Sequence, residues 1–466
     1  MPASAHIGSP DVFLEGNAGD YRVLVVVRMP RVIPGIAEIE VRPLSMGVRT
    51  VRVTPMRIRG LGSDLQPVAD IAQRSTDRPD VYRAQLWLML RGAWKVRIVA
   101  DGDRGTGELF VPVGAVSSAT LPMQRSLRGI LGALALLLIA GAVAIVGASV
   151  REGTNRPGID PTPESVRRGR WAMAIASALI AGLLSLGGLW WHAAAADAEA
   201  VVYKTPEIAG TLTDPRTLSL TIGSSNTERW AERIGLNDLV PDHGHLMHLF
   251  LVRAPGMDLI AHLHPRQTDR GQFEQTLPSM PAGRYRMFAD IVHGTGFPET
   301  EIGEITLPDI ISGLPLGDDA LAAAEPLVEG PQTSGAPLSM GYRMQWMNAT
   351  DPLRAGEPLW LKFRVEDRTG LAAGDLEPYM GMPGHLIVVR SDWKVFAHLH
   401  PGGSAPMASV NLANGAAMTH EGHVPPAAEI TFPYGFPQAG DYRLFVQIKR
   451  AGRIETAVFD ARVPGT

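Results

Sequence analysis

The chain has 466 residues, a formal charge of −4 from 43 basic and 47 acidic side chains, 45% hydrophobic content and no cysteine. That is room for three domains of ordinary size plus a membrane segment, with no basic surplus or polybasic run to suit nucleic acid as a partner. Lack of cysteine excludes disulfides, c-type haem attachment, iron–sulfur clusters, thiol catalysis, CxxC zinc sites and blue-copper electron transfer, so any metal must be held by His, Met, Asp or Glu.

Residues 1–10, MPASAHIGSP, form a tail in which ASA before His6 has the small-residue form of a signal-peptidase site. The expectation is a natural start further upstream and a leader lost from this version. Residues 11–120 carry short Val- and Ile-rich runs, among them YRVLVVVRMP, IAEIEVRPL, AWKVRIVAD and GELFVPVG, broken by Gly, Pro and Asp. This pattern predicts an antiparallel β-sandwich. It has no obvious catalytic cluster and reads as an interaction or spacer module.

Residues 129–150, GILGALALLLIAGAVAIVGASV, are uncharged and long enough to cross about 30 Å of hydrocarbon as a helix. Residues 171–191 form a second uncharged run, ending in the interfacial pair Trp190 and Trp191. The loop between them, 151–170, carries Arg151, Arg156, Arg167, Arg168 and Arg170, whereas residues 192–200 have no Lys or Arg. The positive-inside rule then makes the loop cytoplasmic and both flanking regions extracytoplasmic, that is, periplasmic, with the bilayer a partner. The spans have no ionisable residue, which suits an anchor better than an ion path.

Residues 201–308 and 337–464 return to the sandwich pattern, separated by a Gly-, Pro- and Ala-rich linker at 309–336. The two read as copies. LVPDHGHLMHLFLVR, from Leu239, aligns without a gap on LEPYMGMPGHLIVVR, from Leu376; IAHLHP matches FAHLHP, and PAGRYRMFADI matches QAGDYRLFVQI. Tyr285 and Tyr442 of the AGxY element suggest a tyrosine corner. The expected fold class is therefore mainly β: three immunoglobulin-like or cupredoxin-like antiparallel sandwiches plus two transmembrane helices.

Of 13 histidines, 11 lie between His243 and His423. In the first copy a hairpin turning at Pro255 and Gly256 places His248 across from His262 or His264, which share a face because they are two residues apart. The second copy repeats this with His385, His398 and His400 around Asp392 and Trp393. Upstream, His243 aligns with Met380 and His245 with Met382, exchanging one potential ligand for another. Imidazole suits Cu(II), zinc and nickel, thioether selects Cu(I), and copper uses both. The first repeat thus reads as a His-rich site, where zinc is also possible, and the second as a mixed Met/His site, with Met407, Met418, His420 and His423 as further candidates. Against this stands the plainer reading of turn histidines and packing methionines. His293 and His192, without counterparts, read as structural or interfacial, and Trp230 and Trp393 as core or turn residues rather than part of a cation cage; Asp242 is either an exposed loop residue or orients an imidazole.

The N-terminal domain, with AGDYRVLVVVRMP at one end and GAWKVRIVADGDRGTGELFVPV at the other, resembles the YtkA-like and FixH-like periplasmic β-sandwich families. The repeats, with GHLMHLFLV and HLHP, resemble poorly characterised cupredoxin-like envelope domains found near copper-handling systems. That likeness implies copper binding or delivery without electron transfer. The leading expectation is a membrane-anchored, non-enzymatic protein for copper buffering, delivery or homeostasis, with an envelope protein as partner. The alternatives are an assembly or interaction module with structural histidines and, last, a copper-dependent oxidative enzyme using His6 as its mature N-terminus. No hydrolase, metalloprotease or nucleotide-binding motif appears.

Overall fold

A computed structural model describes residues 6–7, 11–60, 62–65, 67–153, 155–156, 158–223, 238–328, 330, 332–415 and 427–465. The chain is mainly β, with antiparallel sheets and, among the described residues, three α-helices. Residues 1–118 and 203–466 form one compact unit and residues 119–202 another.

The helical unit contains α1 (Arg125–Glu152) and α2 (Pro163–Ala200), with mean hydropathies of 2.7 and 2.0 over their most apolar stretches. Both are long and apolar enough to cross a membrane. Thr162 starts α2 as an N-cap, its hydroxyl accepting from Ser165 N at 3.2 Å, and Pro163 supplies the φ of the first helical position. The helices approach at Gly147 and Gly169, where a Cβ on Gly169 would lie 3.0 Å from the Gly147 carbonyl.

The β unit contains three sandwiches. In the first, the sheet of Val12–Ala18, Tyr21–Arg28, Gly35–Pro43, Tyr82–Leu88 and Gln73–Arg74 faces that of Gly105–Ala115, Gly92–Gly102, Val48–Arg57 and Asp70–Ile71. Val23, Val25, Val41, Val51, Val96, Ile98 and Val111 fill the space between them. The Val-rich runs of the sequence are these strands, because β-branched residues fit a pleated, half-buried surface.

The repeats share one plan. Each has an outer four-stranded sheet and an inner sheet built around the histidine hairpin. In the first repeat the inner order is Pro298–Leu307, Gly283–Val292, His248–Ala254, Leu259–Leu263, Ala320–Ala323. In the second, Val395–Leu399, His385–Arg390 and Gly440–Arg450 are the corresponding core strands, and Arg453–Val463 pairs with the last. The Tyr285 hydroxyl donates to Pro281 O at 2.7 Å and Tyr442 to Gln438 O at 2.6 Å, the bond of a tyrosine corner. The segment read as a linker carries the edge strand Ala320–Ala323 of the first repeat; its Ala-rich sequence lacks a strand signature and is held by pairing with Leu259–His262.

The inner sheets pack against each other. Leu249, Leu251 and Leu263 point into the first repeat's own core. On the opposite face Phe250, Val252, Ile260 and Phe288 meet Ile387, Val389, Phe396 and Phe445 of the second repeat. Phe288 stacks on Phe396 with centroids 4.2 Å apart and planes at 5°. Central strands buried on both faces explain the continuous apolar runs HLFLV and HLIVV. The first sandwich closes one end, with Glu15 N bonded to Gly402 O at 2.8 Å and Ser404 N to Phe13 O at 2.9 Å.

Candidate metal centre

Each histidine cluster begins at a two-residue turn. Asp242 and His245 exchange backbone bonds of 2.8 and 2.9 Å, with φ of 51° at His243 and 89° at Gly244. Tyr379 and Met382 do the same at 2.8 and 3.0 Å, with φ of 50° at Met380 and 78° at Gly381. Both are turns of the primed kind, which need a left-handed backbone at both central positions and place glycine at one of them. The gapless alignment of the two copies is therefore a structural equivalence.

Register then fixes the imidazoles. Leu249 faces Leu263 and Phe250 faces His262, so His248, His262 and His264 share one face. Leu386 faces Leu399 and Ile387 faces His398, which does the same for His385, His398 and His400. That face is the one turned toward the other repeat, and His248, His262, His385 and His400 are buried.

Hydrogen bonds assign the ring nitrogens. His248 Nε2–H donates to Asp242 O at 3.1 Å and His262 Nδ1–H to Gln447 Oε1 at 2.8 Å. This leaves His248 Nδ1 and His262 Nε2 without protons, facing each other across 3.1 Å. In the second repeat His385 Nε2–H donates to Tyr379 O at 3.3 Å, and His398 Nδ1 stands 3.3 Å from Asp290 Oδ2. Again the remaining nitrogens, His385 Nδ1 and His398 Nε2, are 3.1 Å apart. Opposed lone pairs, as on His248 Nδ1 and His262 Nε2, repel unless a proton or a metal cation lies between them. With metal–nitrogen bonds of about 2.0–2.1 Å, right-angle and tetrahedral arrangements separate neighbouring nitrogens by about 2.9 and 3.3 Å, which brackets the observed value.

The third imidazole of each triad points the same way. His264 Nδ1–H donates to Asp319 Oδ1 at 3.0 Å, the carboxylate–histidine arrangement that orients metal-binding imidazoles, while its Nε2 is buried with no hydrogen-bond partner. Both ring nitrogens of His400 are likewise buried. Burial, followed by the neighbouring imidazoles, pushes His248, His262, His264, His385 and His400 well below the usual histidine range. The rings are thus neutral and available as ligands at physiological pH. Burial raises Asp319 to about 6, so at neutral pH it is a carboxylate accepting from a neutral ring.

The remaining predicted residues divide. His243 reaches across the interface, its centroid 4.8 Å from His400 and 5.3 Å from His385. The His245 ring lies 4.0 Å from that of His264, tilted by 30°, and places Nε2 3.2 Å from Asp318 Oδ2. Met382 is buried in an apolar cluster with Met407 and Val410, and Met380 occupies its turn half-buried. Met407 opens α3 (Met407–Asn414); Met418, His420, His423 and Trp230 lie outside the described residues. The Asp242 carboxylate accepts from Ala408 N at 2.7 Å in the first turn of α3, so the backbone carbonyl of Asp242, not its side chain, orients His248. His293 is held by Asp238 at 3.0 Å and Glu299 at 3.2 Å, a buried structural network. Trp393 occupies a left-handed turn position, φ 66°, and packs on the interface cluster. His6 lies in a two-residue strand paired with Val395.

Sequence reasoning missed Gln447, Asp290, Asp318 and Asp319. Gln447 and Asp290 occupy the same place in the aligned QAGDYRLFVQI and PAGRYRMFADI segments, so the signal was present. Each lies in register with the first histidine of its own repeat, Asp290 with His248 and Gln447 with His385. A cavity of about 560 Å³ reaches the cluster, lined by His248, His398, His400 and Asp290 together with Phe13 of the first sandwich and Tyr203.

Fold and site together define a mainly β protein with two apolar helices of membrane-spanning length and grouped histidines that could hold a metal ion. Residues 205–301 and 338–465 match the model of a domain of unknown function, DUF8832. No curated protein matches the chain. Among solved structures, dimeric latent PorU from Porphyromonas gingivalis aligns at 10% identity and TM-score 0.15, covering 93% of this chain and 32% of that one. A putative membrane anchored protein from Corynebacterium diphtheriae aligns at 10% identity and TM-score 0.14, covering 98% and 96%. Likenesses this distant carry no argument about function.

Proposed function

We propose that this chain is a membrane-anchored extracytoplasmic protein that binds copper through imidazoles of its two repeats, serving copper buffering, delivery or homeostasis. The observation that carries the reading is the duplicated pair of facing ring nitrogens, His248 Nδ1 with His262 Nε2 and His385 Nδ1 with His398 Nε2, each 3.1 Å apart. Copper is preferred because nitrogen-only sites follow the order of divalent affinities, in which Cu(II) stands highest and zinc below it. Burial of the ligands suits retention of the ion, and the adjoining cavity offers a route in. The arginines between the two spans, and the resemblance of the first sandwich to YtkA-like and FixH-like domains, support placement outside the cytoplasm.

The test is competitive titration of the purified full chain in detergent with Cu(I), Cu(II) and Zn(II), beside a variant with His248, His262, His385 and His398 changed to Ala. Tight copper uptake lost in a variant that keeps its circular dichroism supports the reading. Equal, weak uptake by both overturns it and leaves an envelope interaction module with structural histidines.

A further inference from the structure

The two triads are neighbours. Between them, the His248 and His398 centroids are 5.4 Å apart and those of His262 and His398 5.6 Å. Within a triad the corresponding separations are 5.3 Å for His248 and His262 and 5.3 Å for His385 and His398. Ligands of different repeats are therefore as close as ligands of the same repeat.

The supporting groups are exchanged between repeats. Gln447 of the second repeat orients His262 of the first, and Asp290 of the first stands against His398 of the second. The fourth imidazoles are unevenly supplied. The turn of the first repeat offers His243 to His385 and His400, and His245 to His264. The equivalent turn of the second repeat carries Met380 and Met382. One turn thus serves both triads, which accounts for the His/Met difference between the copies. Asp318 lies against His245, Asp319 against His264 and Asp290 against His398, and Asp242 is grouped with His243 and His400. These four carboxylates match the charge of two divalent ions, and adjacent cations are tolerated in a buried site only with such compensation.

We propose that two metal ions share one dinuclear centre at the contact between the repeats, in which His243 crosses over to complete the second repeat's triad and His245 completes the first's. This rests on the reading of the histidines as metal ligands. Neither repeat alone holds a complete site, and the aromatic contact between them keeps the two halves together.

The experiment loads the metal-free full chain with Cu(II), counts copper per chain by mass spectrometry of the metal, and records its electron paramagnetic resonance. Two ions per chain with a signal quenched or broadened by coupling between them are expected. The variant His243→Asn, in which asparagine tolerates the left-handed turn, falls to one ion and regains an isolated-copper signal. One ion per chain in the unaltered protein, or two with independent signals, overturns the dinuclear centre while leaving metal binding intact. No ion at all removes the parent reading as well.

Discussion

His262 and Gln447 belong to different repeats, and the imidazole Nδ1–H donates to the amide Oε1 across 2.8 Å. Gln447 is itself fixed, its Nε2 donating to Thr456 Oγ1 at 3.3 Å. The bond sets the His262 tautomer and so directs Nε2 toward His248. Gln447→Leu leaves the His262 N–H only the longer contact to the Tyr379 hydroxyl at 3.4 Å, a loss of about 1–3 kcal/mol in stability. It also weakens metal binding by about 10–100-fold, as loss of an orienting partner does. Gln447→Glu, which keeps an acceptor there, restores binding. Competition titration and thermal unfolding of the three proteins read both effects.

Phe396 is fully buried at the contact between repeats, stacked on Phe288 and tilted against Phe250 at 5.4 Å. Phe396→Ala costs about 3–5 kcal/mol in denaturant unfolding. With the proposed shared centre across this contact, the same variant loses metal affinity although it removes no ligand. Unchanged affinity in a destabilised variant would show that each repeat binds alone.

Met382 is 7% exposed among apolar neighbours that include Met407. Met382→Leu conserves volume and costs less than about 1.5 kcal/mol. Copper affinity, measured separately for Cu(I) and Cu(II), stays at the parent value. A selective fall in Cu(I) affinity would return the thioether to the ligand set.

His293 and Glu301 give stability a pH dependence in the metal-free chain. Burial opposes the charge on His293, but the hydrogen bonds that its ring donates to Asp238 and Glu299 outweigh it and hold the ring up at about 9. Burial, then the charge of Glu299, raises Glu301 to about 9. Both groups bind their proton more tightly folded than unfolded, so their contribution is complete below the ordinary values of 4.5 and 6.5 and is lost as pH rises toward 9. Between neutral pH and 9, above the range in which the neutral rings of the triads gain stability with rising pH, the unfolding midpoint therefore falls, and Glu301→Gln flattens the fall. A midpoint that rises between neutral pH and 9 would contradict this assignment.

Much of the fold was legible because its signals are local. Uncharged runs mark α1 and α2, Val-rich runs bounded by Gly and Pro mark the strands, and HxH spacing puts two imidazoles on one face of a strand. The internal alignment found the equivalence of His243 with Met380 and the two hairpins, since duplication preserves backbone demands such as the left-handed turn. The edge strand Ala320–Ala323 was hidden because pairing, and no propensity of its own, holds it in place. Asp318 and Asp319 were hidden with it.

The sequence by itself determined the chemistry available to this protein. Lack of cysteine restricts any metal to imidazole, carboxylate and thioether, and register within a hairpin brings three histidines together in each repeat. Tertiary structure alone decided which imidazoles meet. Phe250, Val252 and Phe288 face outward from one sandwich and Ile387, Val389 and Phe396 from the other, and burial of those faces turns the triads toward each other. That contact carries His243 to the second repeat, Gln447 to His262 and Asp290 to His398. Such pairings join residues more than a hundred positions apart, and the free energy that sets them is the burial of surfaces that no local pattern assigns to one another.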